Sequence, residues 1–227
     1  MCSAETEGVT KFYLDFRQAP PVEARLIAPL NVWRTVLHRL DLISQDARRY
    51  GGVGFGNVSL RTPAAAPRAS ASLFVVSGTQ TGALERLTAW HYCRVLDYDL
   101  SSNSLTAEGP VPPSSESLTH AAVYRAAPWV QCVIHVHSPE IWRCAEALGL
   151  PVVDARITYG TPAMADAVGA LVRRGTRNAL LAMGGHEDGI VAYGAAPDET
   201  ALNLIRWFAR ALEMSAAGSP AKDGDCR

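Results

Sequence analysis

Three of the chain's six histidines fall where a metal ion can be held. His135 and His137 form a His-x-His pair at the end of an apolar run, 130–136. Alternate residues of a strand share one face, so both imidazoles can reach a single ion. Imidazole nitrogen suits Zn²⁺ and related divalent ions. Taken alone, the pair is equally compatible with two half-buried sheet histidines. His186 shifts that balance. It sits in Gly184-Gly185-His186-Glu187-Asp188-Gly189, between two short apolar runs. A turn of this kind can present a side chain to a site. Three neutral imidazoles leave a coordination position open, as catalytic metal sites do.

Glu116 follows Pro112-Pro113-Ser114-Ser115 at a predicted helix start. A carboxylate beside a metal takes or gives a proton, or adds a ligand. The plainer alternative is a glutamate that only complements the helix dipole. His120, four residues on, shares that helix face. It is a candidate to orient Glu116 or a ligand, or equally a packed helix histidine. Three small-residue segments, 56–59 (GNVS), 77–82 (SGTQTG) and Ser114-Ser115, suit an anionic or oxygen-rich substrate. Backbone N–H groups in such turns cradle a phosphate without much positive charge. None matches a P-loop or a dinucleotide fingerprint.

The elements that must position these residues read as follows. Residues 1–20 form a loosely packed lead-in. From 22 to about 50, Leu26, Leu30, Trp33, Leu37 and Leu40 recur at helical spacing, with Pro29 interrupting the helix or starting a second one. Four glycines in 51–56 end it. Strands are predicted at 57–61, 72–77, 91–99 and 104–107, with an Ala/Pro-rich loop at 62–70. A helix capped by Ser114 or Ser115 runs to about 127, with Glu116 in its first turn. After 130–136, helices start at Ser138-Pro139 and Thr161-Pro162, and strands at 178–183 and 190–193 flank the His186 turn. A helix over 198–214 closes the domain. This gives a lead-in at 1–21, one domain at 22–214 and a disordered tail at 215–227. Strands mixed with helices indicate an α/β layered domain with a mixed or largely antiparallel sheet.

At 227 residues, 48% hydrophobic and 19% charged, the chain can bury a full core and is too apolar for disorder. A net charge of -1 without a basic stripe gives no support for nucleic acid or an anionic membrane as partner. Five scattered cysteines without a CxxC spacing point to reduced thiols in a cytoplasmic protein. No signal peptide is visible, and no apolar run reaches the about 18 residues of a membrane span.

Taken together and in order, GNVSLR (56–61), SGTQTG (77–82), PSSESLTHAAVY (113–124), VIHVHS (133–138) and GGHEDGIVAYG (184–194) resemble the class II aldolase/adducin family. The resemblance covers roughly 25–212. It implies a three-layer α/β/α sandwich with a central mixed, largely antiparallel sheet, assembled as a homotetramer with sites between subunits. It implies that His135, His137 and His186 bind Zn²⁺ or another divalent ion such as Mn²⁺ or Co²⁺, and that Glu116 is the acid/base residue. Positions matching Asn57, Ser77, Gly78, Ser114 and Ser115 bind phosphate in sugar-phosphate members. The expected activity is that of a metal-dependent lyase. It acts on a small hydroxy-carbonyl compound, a sugar phosphate or a polyhydroxy or keto acid, through a metal-stabilised enediolate, by aldol cleavage or decarboxylation. An epimerase or dehydratase on the same scaffold, or a non-catalytic module like the adducin head, is the alternative.

Two positions depart from the family pattern. The third histidine is usually followed at once by glycine, whereas here Glu187 and Asp188 intervene. They bind a substrate amine or hydroxyl, or form a solvated turn. Where aldolase members often carry a tyrosine proton donor, this chain places Arg156, with Tyr159 three residues on. An arginine there suits a carboxylate or phosphate, which leaves decarboxylation or another enediolate reaction open beside retro-aldol cleavage.

Overall fold

The computed structural model describes residues 10–62, 73–175 and 179–218. Its strands are β1 (Tyr13–Gln18), β2 (Asn57–Arg61), β3 (Phe74–Ser77), β4 (Tyr92–Asp99), β5 (Ser104–Gly109), β6 (Cys132–His137), β7 (Val152–Val153), β8 (Ala179–Met183) and β9 (Gly189–Gly194). They form one sheet in the order β1-β5-β4-β3-β2-β6-β9-β8-β7. Among the described residues only the two edge pairings, β1 with β5 and β7 with β8, are parallel. The six pairings between them are antiparallel.

The helices are α1 (Ala24–Arg39), α2 (Ser117–Ala126), α3 (Pro139–Cys144), α4 (Pro162–Arg174) and α5 (Pro197–Gly218). Two separate cores show that they cover both faces of the sheet. One joins α2 and α4 to Phe74, Val76, Val133, Leu181 and Val191. The other joins α1, α3 and α5 to Val75, Ile134, Val136, Ile190 and Ala192. Adjacent strand residues thus feed opposite cores, as the two-residue repeat of a strand requires. The expected three-layer sandwich with a mixed, mainly antiparallel sheet is what forms.

Four local expectations need correction. The lead-in is not loosely packed throughout: Phe12 is buried, and Tyr13–Gln18 adds an edge strand along β5. That strand alternates apolar and polar residues only from Leu14 to Arg17, so its sequence signal is short. Pro29 neither breaks nor starts a helix; it lies inside α1, whose buried stripe of Ile27, Leu30, Arg34 and Leu37 holds the helix through the missing N–H. Glu116, not a serine, is the N-cap residue of α2. Helix α5 runs on to Gly218, into the stretch expected to be tail. Residues 1–9, the 62–70 loop apart from Thr62, and residues 219–227 lie outside the described residues.

Candidate active site

β6 runs through the middle of the sheet, paired with β2 on one side and β9 on the other. Every one of its residues is buried. Cys132, Ile134 and Val136 enter the core under α1, α3 and α5. His135 and His137 therefore emerge on the opposite face, the one covered by α2 and α4. His186 joins them from the β8–β9 turn. The ring centroids lie 4.8–5.1 Å apart. One ligand nitrogen from each histidine falls within 4.8 Å of the others, and all three rings are buried.

The donor chemistry fits a metal. His135 Nδ1 lies 3.1 Å from the Ile190 carbonyl, which can only accept, so Nδ1 carries the proton. That leaves the Nε2 lone pair, which is buried and has no hydrogen-bond partner. Fixing the tautomer through the far nitrogen is how proteins prepare a histidine ligand. Burial, with His186 and His120 nearby, pushes the His135 pKa well below the usual histidine range. Burial, with His186, His135 and Arg49, does the same for His137. Both are held neutral, as metal ligation demands.

The turn carrying His186 is docked by close backbone contact. A Cβ on Gly185 would collide with the Ile157 carbonyl, and one on Gly184 with that of Val153. The same 153–160 segment supplies Tyr159, whose ring stacks on His186 at 4.4 Å and 16°. Lys11 Nζ sits 3.7 Å over the Tyr159 ring.

Glu116 is 2% exposed. Its Oε2 accepts a hydrogen bond from Thr119 Oγ1 at 2.7 Å. His120 is fully buried and bonds through Nδ1 to Ser59 Oγ at 2.7 Å, and Ser59 meets the Tyr124 hydroxyl at 2.8 Å. Burial lowers the His120 pKa to about 3.

The small-residue segments converge on one recess, lined by residues 54–57, 78–82 and Ser114-Ser115. Asn57, Gly78, Ser114 and Ser115 are on its wall. Ser77 is not; its hydroxyl accepts the Val58 N–H at 3.1 Å. Ser114 N–H bonds the Ser77 carbonyl at 3.3 Å, joining two of the segments. Gly82 permits a third approach, because a Cβ there would collide with the Ser44 carbonyl. Asn57 pairs in register with His135, which puts recess and imidazoles side by side on one sheet face. Its Oδ1 is buried without a hydrogen-bond partner.

Arg156 and Glu187 stand apart. Arg156 is exposed and pairs with Asp154 at 2.5 Å; Glu187 is exposed. Asp188, in contrast, is buried and accepts from the Tyr50 hydroxyl at 2.6 Å. Tyr50 and Arg49 give no sign of this in the sequence, where 51–56 reads only as a break. Arg34 is a further residue that the motifs do not reveal. Its guanidinium, 1% exposed, donates to the carbonyls of Thr81, Gly82, Leu84 and Glu85 and so shapes the recess loop. A signal was present: Arg34 falls four residues after Leu30 and three before Leu37, on the buried stripe.

The Class II Aldolase and Adducin N-terminal domain family matches residues 44–215, and the chain belongs to it. A methylthioribulose-1-phosphate dehydratase of Xanthomonas euvesicatoria pv. vesicatoria (strain 85-10) is 33% identical over 119 residues, 49% of this chain and 48% of that protein. The chain thus spans about half the length of the curated relative it matches. Among solved structures, YgbL from Klebsiella pneumoniae superposes with a TM-score of 0.63 at 19% identity, over 86% of this chain and 90% of that one. The l-fuculose-1-phosphate aldolase from Thermus thermophilus gives 0.60 at 22% identity, over 88% and 100%. At these identities the likeness is one of fold.

Proposed function

We propose that the protein is a metal-dependent lyase acting on a small hydroxy-carbonyl compound, a sugar phosphate or a polyhydroxy or keto acid. The carrying observation is the meeting of three buried imidazoles, from a strand pair and a distant turn, beside a recess lined by the uncharged Asn57, Gly78, Ser114 and Ser115. His135, His137 and His186 would hold the ion, Zn²⁺ or a similar divalent cation. Bound there, it supplies Lewis acidity to a carbonyl and its neighbouring hydroxyl oxygen. Glu116 moves the proton, its carboxylate oriented by Thr119. Asn57, Gly78, Ser114 and Ser115 would bind the phosphate or carboxylate end, a reading supported by the register of Asn57 opposite His135. The assembly proposed is a homotetramer with sites between subunits.

Metal content by mass spectrometry tests this reading, comparing the wild type with a His135→Ala/His137→Ala variant after metal-supplemented purification. About one equivalent in the wild type and none in the variant is expected. Metal-free wild type would sink the proposal. A dehydratase or epimerase on the same scaffold is the second reading; the 33% identity to a dehydratase over about half of each chain bears on the first of these without ranking it above aldol cleavage. Product analysis by NMR in deuterated water separates C–C cleavage, loss of water and inversion.

A further inference from the structure

Glu187 and Asp188, the departure from the family's third-histidine motif, have different fates: Glu187 is exposed, whereas Asp188 is 6% exposed. The Asp188 carboxylate accepts the Tyr50 hydroxyl hydrogen at 2.6 Å, across 138 residues of sequence. The Tyr50 ring meets His137 edge-on, centroids 4.6 Å apart. Arg49 Nη2 donates to Tyr50 Oη at 3.0 Å, and its Nη1 reaches the Asp41 carboxylate, also at 3.0 Å.

The backbone supplies an independent observation. Among the described residues, five non-glycine residues have positive φ. Three of them belong to this one network: Asp41 (57°), Tyr50 (49°) and Asp188 (60°). A tyrosine in the left-handed region is a strained residue. Such strain costs about 1–3 kcal/mol per residue and persists where the surroundings over-determine it, typically at functional sites. Glycine would sit at 50 and 188 without strain, so the two side chains occupy these positions at a backbone cost. Asp188 lies two residues from His186, and its carbonyl accepts the Ser138 N–H at 2.9 Å, next to His137.

We propose that Tyr50 and Asp188 form a clasp that sets His186 against His137, joining the turn that carries one metal ligand to the strand that carries the others. It rests on the metal-centre reading above. Tyr50 and Asp188 act through the histidines and are positioning residues. The clasp gives Asp188 a place, its carboxylate reaching an anchor on the 41–56 loop.

The test is Co²⁺ affinity of the full chain, by chelator competition, together with the visible spectrum of the bound cobalt and the melting temperature of the metal-free protein. Tyr50→Phe keeps the ring on His137 and deletes the donor. Asp188→Gly relieves the backbone and deletes the acceptor. Asp188→Asn keeps an acceptor oxygen. The first two should bind Co²⁺ about tenfold more weakly, with altered cobalt bands, because lost outer hydrogen bonds to a metal site cost about 10- to 100-fold in affinity. Their metal-free melting temperatures should stay within about 4 °C of wild type. Asp188→Asn should restore affinity to within about twofold. Wild-type affinity in both Tyr50→Phe and Asp188→Gly overturns the clasp alone. So does an affinity loss that only follows a collapse of the metal-free melting temperature. A wild type that takes up no cobalt overturns the metal centre, and the clasp with it.

Discussion

β6 presents two different surfaces. Towards α1, α3 and α5 it offers Cys132, Ile134 and Val136, packed into an apolar core. Towards α2 and α4 it offers Val133 and then His135 and His137, where the core gives way to imidazoles and to the partnerless Asn57 Oδ1 and His135 Nε2. The first face stabilises the strand; the second uses the stability so gained to hold polar groups that cost energy to bury. Chemistry and scaffold are separated by one residue, so neighbouring substitutions should fail in different ways.

Two substitutions at adjacent positions bring out that contrast. His135→Ala removes a proposed ligand and should lower Co²⁺ affinity by more than the roughly 100-fold that loss of an outer partner can cost. Its metal-free stability should fall by only about 1 kcal/mol, the worth of the single bond to Ile190. Ile134→Ala should cost 2–5 kcal/mol, roughly, by urea denaturation, because the side chain is fully buried in a packed core. Cobalt affinity of its folded fraction should be unchanged. Equal stability losses in the two variants would show that the faces are not divided as described.

The sequence foreshadowed these two faces unequally. The apolar face was legible because Ile134 and Val136 alternate with the histidines, and the order of motifs placed the histidines and the small-residue segments. Tyr50 and Lys11 were not. Each has its partner 138–148 residues away, and local periodicity carries no trace of such a contact. β1 was hidden because its partner β5 is about ninety residues on and its alternation, Leu14 to Arg17, spans only four residues. Pro29 misled because a rule about isolated helices was applied to one held by tertiary packing.

Acid should sharpen the contrast further. His120 titrates at about 3 when folded, and His135 and His137 are also lowered, all mainly by burial. In the unfolded chain each titrates near 6.5. As pH falls below that value the unfolded chain takes up protons that the folded one refuses, so the folded state loses ground. The stability tied to the neutral imidazoles is complete above about pH 6.5 and drains away as pH drops towards the folded values. Each histidine contributes up to about 1.4 kcal/mol per pH unit. Urea midpoints of metal-free protein between pH 7.5 and 5 should fall, and His120→Gln should remove about a third of the slope. An unchanged midpoint would mean that the polar face is wetter than its burial implies.

The smallest expected effect is at Asn57, where recess and imidazoles meet. Its Oδ1 is buried without a partner, a cost that a binding site can carry if a substrate hydroxyl donates to it, whereas a phosphate or carboxylate oxygen would need the amide N–H. A polar substrate atom that hydrogen-bonds this amide loses about 1–2 kcal/mol when it goes. Asn57→Ala should therefore raise KM by about tenfold, leave kcat within about threefold, and leave stability unchanged or slightly improved, since an orphaned acceptor is removed. Asn57→Asp has the same size but adds charge. Against an anionic substrate it should raise KM well beyond the alanine variant, and against a neutral one it should not. A kcat loss as large as the KM rise would move Asn57 from holding the substrate's far end to stabilising the reacting one.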